Sequence, residues 1–282
     1  MKTRPGMAWL LTSLLLTALL ATAGCAGRQE PRPPDGEKPP PQTAAVAVYY
    51  VKMTQTNAYL VREVHQVPAE GDLRLAALQE LISGQPQDEK AGRVLPEDTR
   101  ILGLTVEEGL ATVNFSAEVL NANVGASGEA LGIQSIVNTL TEFPGIDRVA
   151  FQVEGAVDER TRDWWGHVGL YDQPFRRNLD EVWEPAIWVT SPAPGAKVAS
   201  PLTVTGSARV FEATVNLRLR DAEGREVVET FTTATAGAPS RGDFTAQLEF
   251  ALPATETGTL EVFWYSPEDG SEQDVVQVPV SF

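Results

Sequence analysis

The chain has 282 residues, room for more than one core, and its 43% hydrophobic and 21% charged residues are the balance of a globular protein. A net charge of −16 repels a phosphate backbone and an anionic lipid surface, which argues against nucleic-acid binding and against electrostatic docking of the folded part on lipid. With only one cysteine, no intramolecular disulfide can form.

Residues 1–25 have the order of a secretory signal: Lys2 and Arg4, then an apolar run from Met7 to Leu20 that is short for a membrane span, then small residues. The lone cysteine, Cys25, follows at once, and this order resembles a bacterial lipoprotein signal. The resemblance implies that Cys25 becomes the lipidated first residue of the mature protein and holds it on the membrane, outside the cytoplasm. That family usually carries a large aliphatic residue three places before the cysteine, where this chain has Thr22. The other reading is an ordinary signal peptide, cut near Ala23 or Ala26, that leaves an unpaired thiol. Residues 26–43 are dense in proline and charge ("RQEPRPPDGEKPPPQ" over Arg28–Gln42) and read as an extended tether. At ~3.1 Å per residue it reaches about 50 Å.

From Ala44 the texture changes. Ala44–Met53 is a nearly continuous β-prone run, as expected for a strand buried on both faces, and Ala58–Val67 is a second strand after the turn Gln55–Asn57. Leu75, Leu78, Leu81 and Ile82 then form a helical stripe ending at Gly84. Leu102, Leu104 and Val106 alternate, as do Ala111, Val113 and Phe115 after the turn Glu107–Gly109. Ser127 is the expected N-cap of a second helix with the stripe Ile133, Ile136, Val137 and Leu140, closed by Pro144-Gly145. Val149, Phe151 and Val153 make the last strand. The order β-β-α-β-β-α-β over residues 44–155 predicts an α+β layer, two helices on one face of a sheet. The segment from "VYYVK" through "NFSAEV" to "ALGIQSIVNTLTEFPGIDRVAFQVEG" resembles the GerMN domain, the sporulation and spore-germination domain of bacterial cell-surface lipoproteins. Its most specific part is Ile133–Gly155. The resemblance implies a role in assembly rather than in chemistry.

Residues 156–186 are polar and aromatic without a sustained period and read as a linker. Trp164 and Trp165 there either stack on a glycan or partner, or pack the linker against a domain. From Ile187 to the end, short alternating runs recur: Leu202/Val204, Val215/Leu217/Leu219, Phe244/Ala246/Leu248/Phe250, Leu260/Val262/Trp264 and Val276/Val278/Val280/Phe282. Asp221–Gly224 and Pro267–Gly270 are the expected hairpin turns. This spacing predicts a β-sandwich of immunoglobulin type over 187–282. Its opening, "IWVTSPAPGAKVASPLTVTGSARVFEATV", resembles the immunoglobulin-like domain of bacterial spore germination proteins. The two resemblances imply one process.

Chemistry-bearing patterns are sparse. His65 and His167 lie far apart and outside any zinc-binding spacing; His65 is expected at the surface or an edge, and His167 beside a turn. Asp269–Asp274 ("DGSEQD") lacks the spacing of a calcium loop and reads as a solvated turn. The tripeptide Arg241–Asp243 ("RGD") starts the Phe244 strand. No cofactor or metal motif and no catalytic residue stands out. The sequence therefore predicts a membrane-anchored, non-enzymatic binding component whose partners are envelope or spore proteins, with peptidoglycan second. The alternative is a glycan-binding protein or an accessory of a peptidoglycan-acting enzyme, using Trp164 and Trp165.

Overall fold

The computed structural model describes residues 42–282. Cys25, the signal segment and the tether up to residue 41 lie outside the described residues. Strands β1 (Thr43–Met53) and β2 (Ala58–Pro68) pair antiparallel along their whole length. Helix α1 (Leu73–Ser83) follows, its first turn capped by the Asp72 carboxylate, which accepts from Arg74 N. A short β3 (Ala91–Gly92) pairs with β1, and β4 (Ile101–Glu107) with β5 (Leu110–Phe115). Between β4 and β5 the chain turns through Glu108 and Gly109, both at positive φ, the backbone that a two-residue hairpin turn requires. Helix α2 (Ala126–Leu140) then carries the chain to β6 (Arg148–Val153), which lies parallel to β5; parallel neighbours need such a crossover.

The expected element order is present, but β1–β3 and β4–β6 form two separate sheets rather than one, and residues beyond β6 add a strand to each. After α3 (Glu159–Asp163), β7 (Phe175–Arg176) joins β6, and β8 (Val182–Glu184) joins β2. The sheets are β3-β1-β2-β8 and β4-β5-β6-β7. Both helices pack between them in one core, with Val48, Tyr50, Leu78, Ile136, Phe115 and Phe151 all fully buried or nearly so. Residues 156–186 are therefore part of the first domain rather than a free linker.

β1 is buried on both faces, as its composition predicts: Val46, Val48 and Tyr50 meet the main core, while Tyr49 and Val51 join a second cluster with Leu60, Leu131 and Trp188. Its free edge is closed by α2, where the Ser135 hydroxyl donates to Tyr49 O and Tyr49 N donates to the Thr139 hydroxyl. Three local expectations fail. Leu75 is turned outward on α1, which instead buries Ala77 with Leu78, Leu81 and Ile82. Leu102 is exposed because the β4–β5 register shifts between Ile101 and Gly103, throwing it off the inward face. The N-cap of α2 is Gly125, not Ser127, which lies within the first turn.

Trp165 sits over α2 where that helix carries Gly132; a β-carbon there would lie 2.6 Å from the indole ring and 2.7 Å from Val94. Gly132→Ala should therefore lower stability by about 1–3 kcal/mol through overpacking, outweighing the ~1 kcal/mol that alanine gains in helix propensity. Urea unfolding checks this; a more stable variant would contradict the packing.

The second domain contains β9 (Ile187–Ser191), β10 (Ala196–Lys197), β11 (Leu202–Ala208), β12 (Thr214–Asp221), β13 (Glu226–Thr233), β14 (Gly242–Leu248), β15 (Thr257–Tyr265) and β16 (Glu272–Ser281). They form a three-stranded sheet, β14-β11-β9, and a five-stranded one, β10-β16-β15-β12-β13. Val204, Leu217, Leu219, Leu260 and Val262 are fully buried between them, so apolar side chains hold the sandwich that no disulfide pins. Both predicted hairpin turns are present. The two domains form one compact unit.

Candidate functional site

Aromatic and charged groups gather at the joint between the domains. Trp188, from the first strand of the sandwich, packs into the apolar outer face of β1 and β2, against Tyr49, Val51 and Leu60. Two guanidinium groups lie over its ring, Arg241 at 4.0 Å and Arg62 at 5.0 Å. Arg241 also donates to four backbone carbonyls of the connecting segment: Val182 (2.9 Å), Trp183 (3.4 Å), Pro185 (2.6 Å) and Ala186 (3.2 Å). Burial, with Arg209 and Arg62 nearby, pulls its pKa down to about 9, which still leaves it charged at neutral pH. Next to it Trp183 stacks on Tyr59 at 4.5 Å and has the Arg209 guanidinium 4.6 Å from its ring centre. Lys52 bridges Asp88 (2.6 Å) and Glu184 (2.7 Å), and Glu184 accepts from the Tyr59 hydroxyl. Trp188, Arg62, Arg209 and Arg241 thus tie the sandwich to the first domain at several points.

Beside it, Glu142 receives Arg62, Arg177 and the Tyr49 hydroxyl. Burial alone would raise its pKa, but the two guanidinium groups and the hydroxyl overturn that and hold it at about 2.

The surface carries open clefts, of which three bear on function. One, of about 860 Å³, runs along the joint past Val64, Trp183, Trp188, Pro192 and Val276. Another, of about 870 Å³, lies between α1 and the chain entering β4. A third, of about 590 Å³, is lined by Asp158, Glu159, Arg160, Asp163 and Tyr171, the last strongly exposed.

Trp164 and Trp165 are brought together, with ring centroids 5.4 Å apart, but inside the first domain's core. Trp164 packs on Phe115 and Phe151, and Trp165 donates its indole N–H to Val119 O. They therefore offer no exposed stacking platform; Tyr171 is the exposed ring of that region. His65 is buried, not at the surface, because Glu63 and Glu80 bind its two ring nitrogens at 2.7 and 2.8 Å. Glu63 in turn accepts from Gln87 N and Asp88 N. His167 lies at a turn as expected, held by its backbone N–H on Glu129. Of Asp269–Asp274 only the first part is a turn, since Glu272–Asp274 already belong to β16; Asp269 accepts from Ser271, Asp274 from Trp264, and Glu272 binds Arg218. Arg241 does lead into the Phe244 strand, but its side chain is consumed by the joint rather than presented in a loop.

Sequence reasoning missed Glu129, a fully buried carboxylate that accepts from His167 N (2.8 Å) and Gly169 N (2.7 Å) and so fixes the loop after α3. The signal was available: Glu129 stands four residues before Ile133, on the apolar stripe of α2.

A family model described as sporulation and spore germination matches residues 47–159, and one described as the immunoglobulin-like domain of bacterial spore germination matches residues 186–271. The spore germination protein GerM of Bacillus subtilis (strain 168) is 28% identical over 118 residues, which cover 40% of this chain and 32% of that protein. The matched region thus spans about a third of that relative's length. Solved structures of GerM from Bacillus subtilis are also similar. Its tandem GerMN domains match at 24% identity and TM-score 0.39, over 51% of this chain and 48% of theirs. Its first GerMN domain matches at 24% identity and TM-score 0.40, over 48% of this chain and 98% of its own. Residues 47–159 are thus similar to the sporulation and spore germination family and residues 186–271 to the immunoglobulin-like domains of bacterial spore germination, each match covering less than half of the chain.

Proposed function

We propose that the chain is a lipoprotein held outside the cytoplasm through Cys25, and that its folded part binds a macromolecular partner in sporulation or spore germination without catalysing a reaction. The observation that carries this reading is the joint: a cationic and aromatic lock fixes two domains of one process as a single body, which suits presentation of a composite surface rather than closure over a substrate. The histidines support it, since His65 and His167 are both engaged in internal bonds. No helix among the described residues is long and apolar enough to cross a membrane. Two or three acyl chains on Cys25 supply an anchor where one is marginal. The partner is an envelope or spore protein, with peptidoglycan second. Binding of glycan in support of a peptidoglycan-acting enzyme draws on one observation, the acidic cleft beside Tyr171, and is the alternative.

Cys25→Ala, followed by fractionation of cells, tests the anchor. The variant is expected in the soluble extracytoplasmic fraction; retention on the membrane at the wild-type level would contradict it.

A further inference from the structure

The cleft between α1 and the entry to β4 contains an unmet bond. Thr99 lines it, is only 3% exposed, and its hydroxyl has no hydrogen-bond partner. A buried hydroxyl left unpaired forfeits the bonds it makes to water, so such a group points to something that completes it. The charge around it is one-sided. Glu70, Asp72, Glu80, Glu97 and Asp98 line the cleft against a single arginine, Arg100. Asp72 already pairs with Arg74 at 2.6 Å, and Glu80 is hydrogen-bonded to a ring nitrogen of His65 at 2.8 Å. Glu97, its side chain 78% exposed, reaches Arg93 only at 4.0 Å, and Arg100 is turned toward Glu118 at 3.6 Å. Glu70, Glu97 and Asp98 are thus left facing the cleft without a close cation.

The cleft also has an apolar part, Val67, Leu75 and Ile101, the last of which is the first residue of β4. β4 is the terminal strand of its sheet, no described strand pairs with its outer side, and Leu102 stands exposed at the shift in register. A terminal strand presents a row of backbone donors and acceptors to any extended chain beside it.

We propose that this cleft receives an extended, lysine- or arginine-bearing segment of a partner protein, which adds as a strand along β4. Its cationic side chains meet Glu70, Glu97 and Asp98, its apolar ones Val67 and Ile101, and a polar group of the segment meets the Thr99 hydroxyl. A small cation would answer the charge alone; the open edge and the apolar floor select a peptide. This deepens the binding reading above by giving the partner's chemistry, and rests on that reading only in requiring a partner.

The full chain, in detergent micelles, is titrated calorimetrically with Ac-Lys-Val-Lys-Thr-Lys-Val-amide and with its glutamate counterpart. Hydrogen exchange is followed over residues 101–107. The lysine peptide should bind at least tenfold more tightly than the glutamate one, slow exchange across 101–107, and weaken as salt rises. Glu70→Gln combined with Asp98→Asn should weaken it tenfold or more and Thr99→Val several-fold, while Phe231→Ser in the second domain leaves it unchanged. Equal binding of both peptides, protection elsewhere, absence of binding, or wild-type affinity in the charge variant would each overturn the proposal. So would a tenfold gain in affinity on deleting residues 28–41, which would make the chain's own proline-rich segment the occupant. Failure here leaves the Cys25 fractionation, and the reading it tests, untouched.

Discussion

Arg241→Ala is expected to lower stability by about 3–5 kcal/mol, a fall in Tm on the order of 10 °C for a folded part of this size. The reason is what the guanidinium leaves behind. Four carbonyls of residues 182, 183, 185 and 186 lose their donor in a partly buried site, and Trp188 loses the cation 4.0 Å from its ring. Arg241→Lys should recover little of this. A single ammonium keeps the charge but cannot span four acceptors or lie flat on an indole. Scanning calorimetry of the three proteins checks it. A melting point of the alanine variant within about 2 °C of the parent would show that the joint does not hold the domains.

Glu142 gives the second large effect, visible as a dependence on pH. Its carboxyl ordinarily titrates at 4.5 and is held here at about 2. For a depressed carboxylate the extra stability is fully present above the unfolded value and is lost as pH falls through the folded one. The loss should therefore run from about pH 4.5 down to about pH 2 and amount to about 3 kcal/mol. Glu142→Gln removes the titrating group, so its stability should be lower at neutral pH and nearly flat across that window relative to the parent. Urea midpoints at intervals between pH 6 and 2 read both. If parent and variant lose stability in parallel, the Arg62–Glu142–Arg177 cluster does not set the acid response.

The elements that were legible in the sequence are those where burial imposes a period. Ala111, Val113 and Phe115 alternate because one face of β5 is wholly buried, and Ile133, Ile136, Val137 and Leu140 repeat because α2 packs between two sheets. β13 was not legible: it is an edge strand whose residues are half or fully exposed, so nothing forces alternation. β7 and β8 have two and three residues, too few to carry a period, and their role as sheet edges erased the apparent linker. The joint was illegible for another reason. Arg62, Trp188 and Arg241 are far apart along the chain, and only folding brings two guanidinium groups to one indole. His65 was misplaced because its two carboxylate partners lie on different elements, Glu63 on β2 and Glu80 on α1. Trp164 and Trp165 stood out as a pair, but adjacency says nothing of which way the rings face, and both face the core.

Whether the chain binds or cuts is tested most directly by incubating it, purified, with peptidoglycan and with cortex-type glycan and measuring soluble fragments over time. The binding account predicts that no fragments are released above a heat-denatured control. Release that disappears on replacing Asp158, Glu159 or Asp163, the carboxylates beside Tyr171, would contradict it and make that cleft an active site.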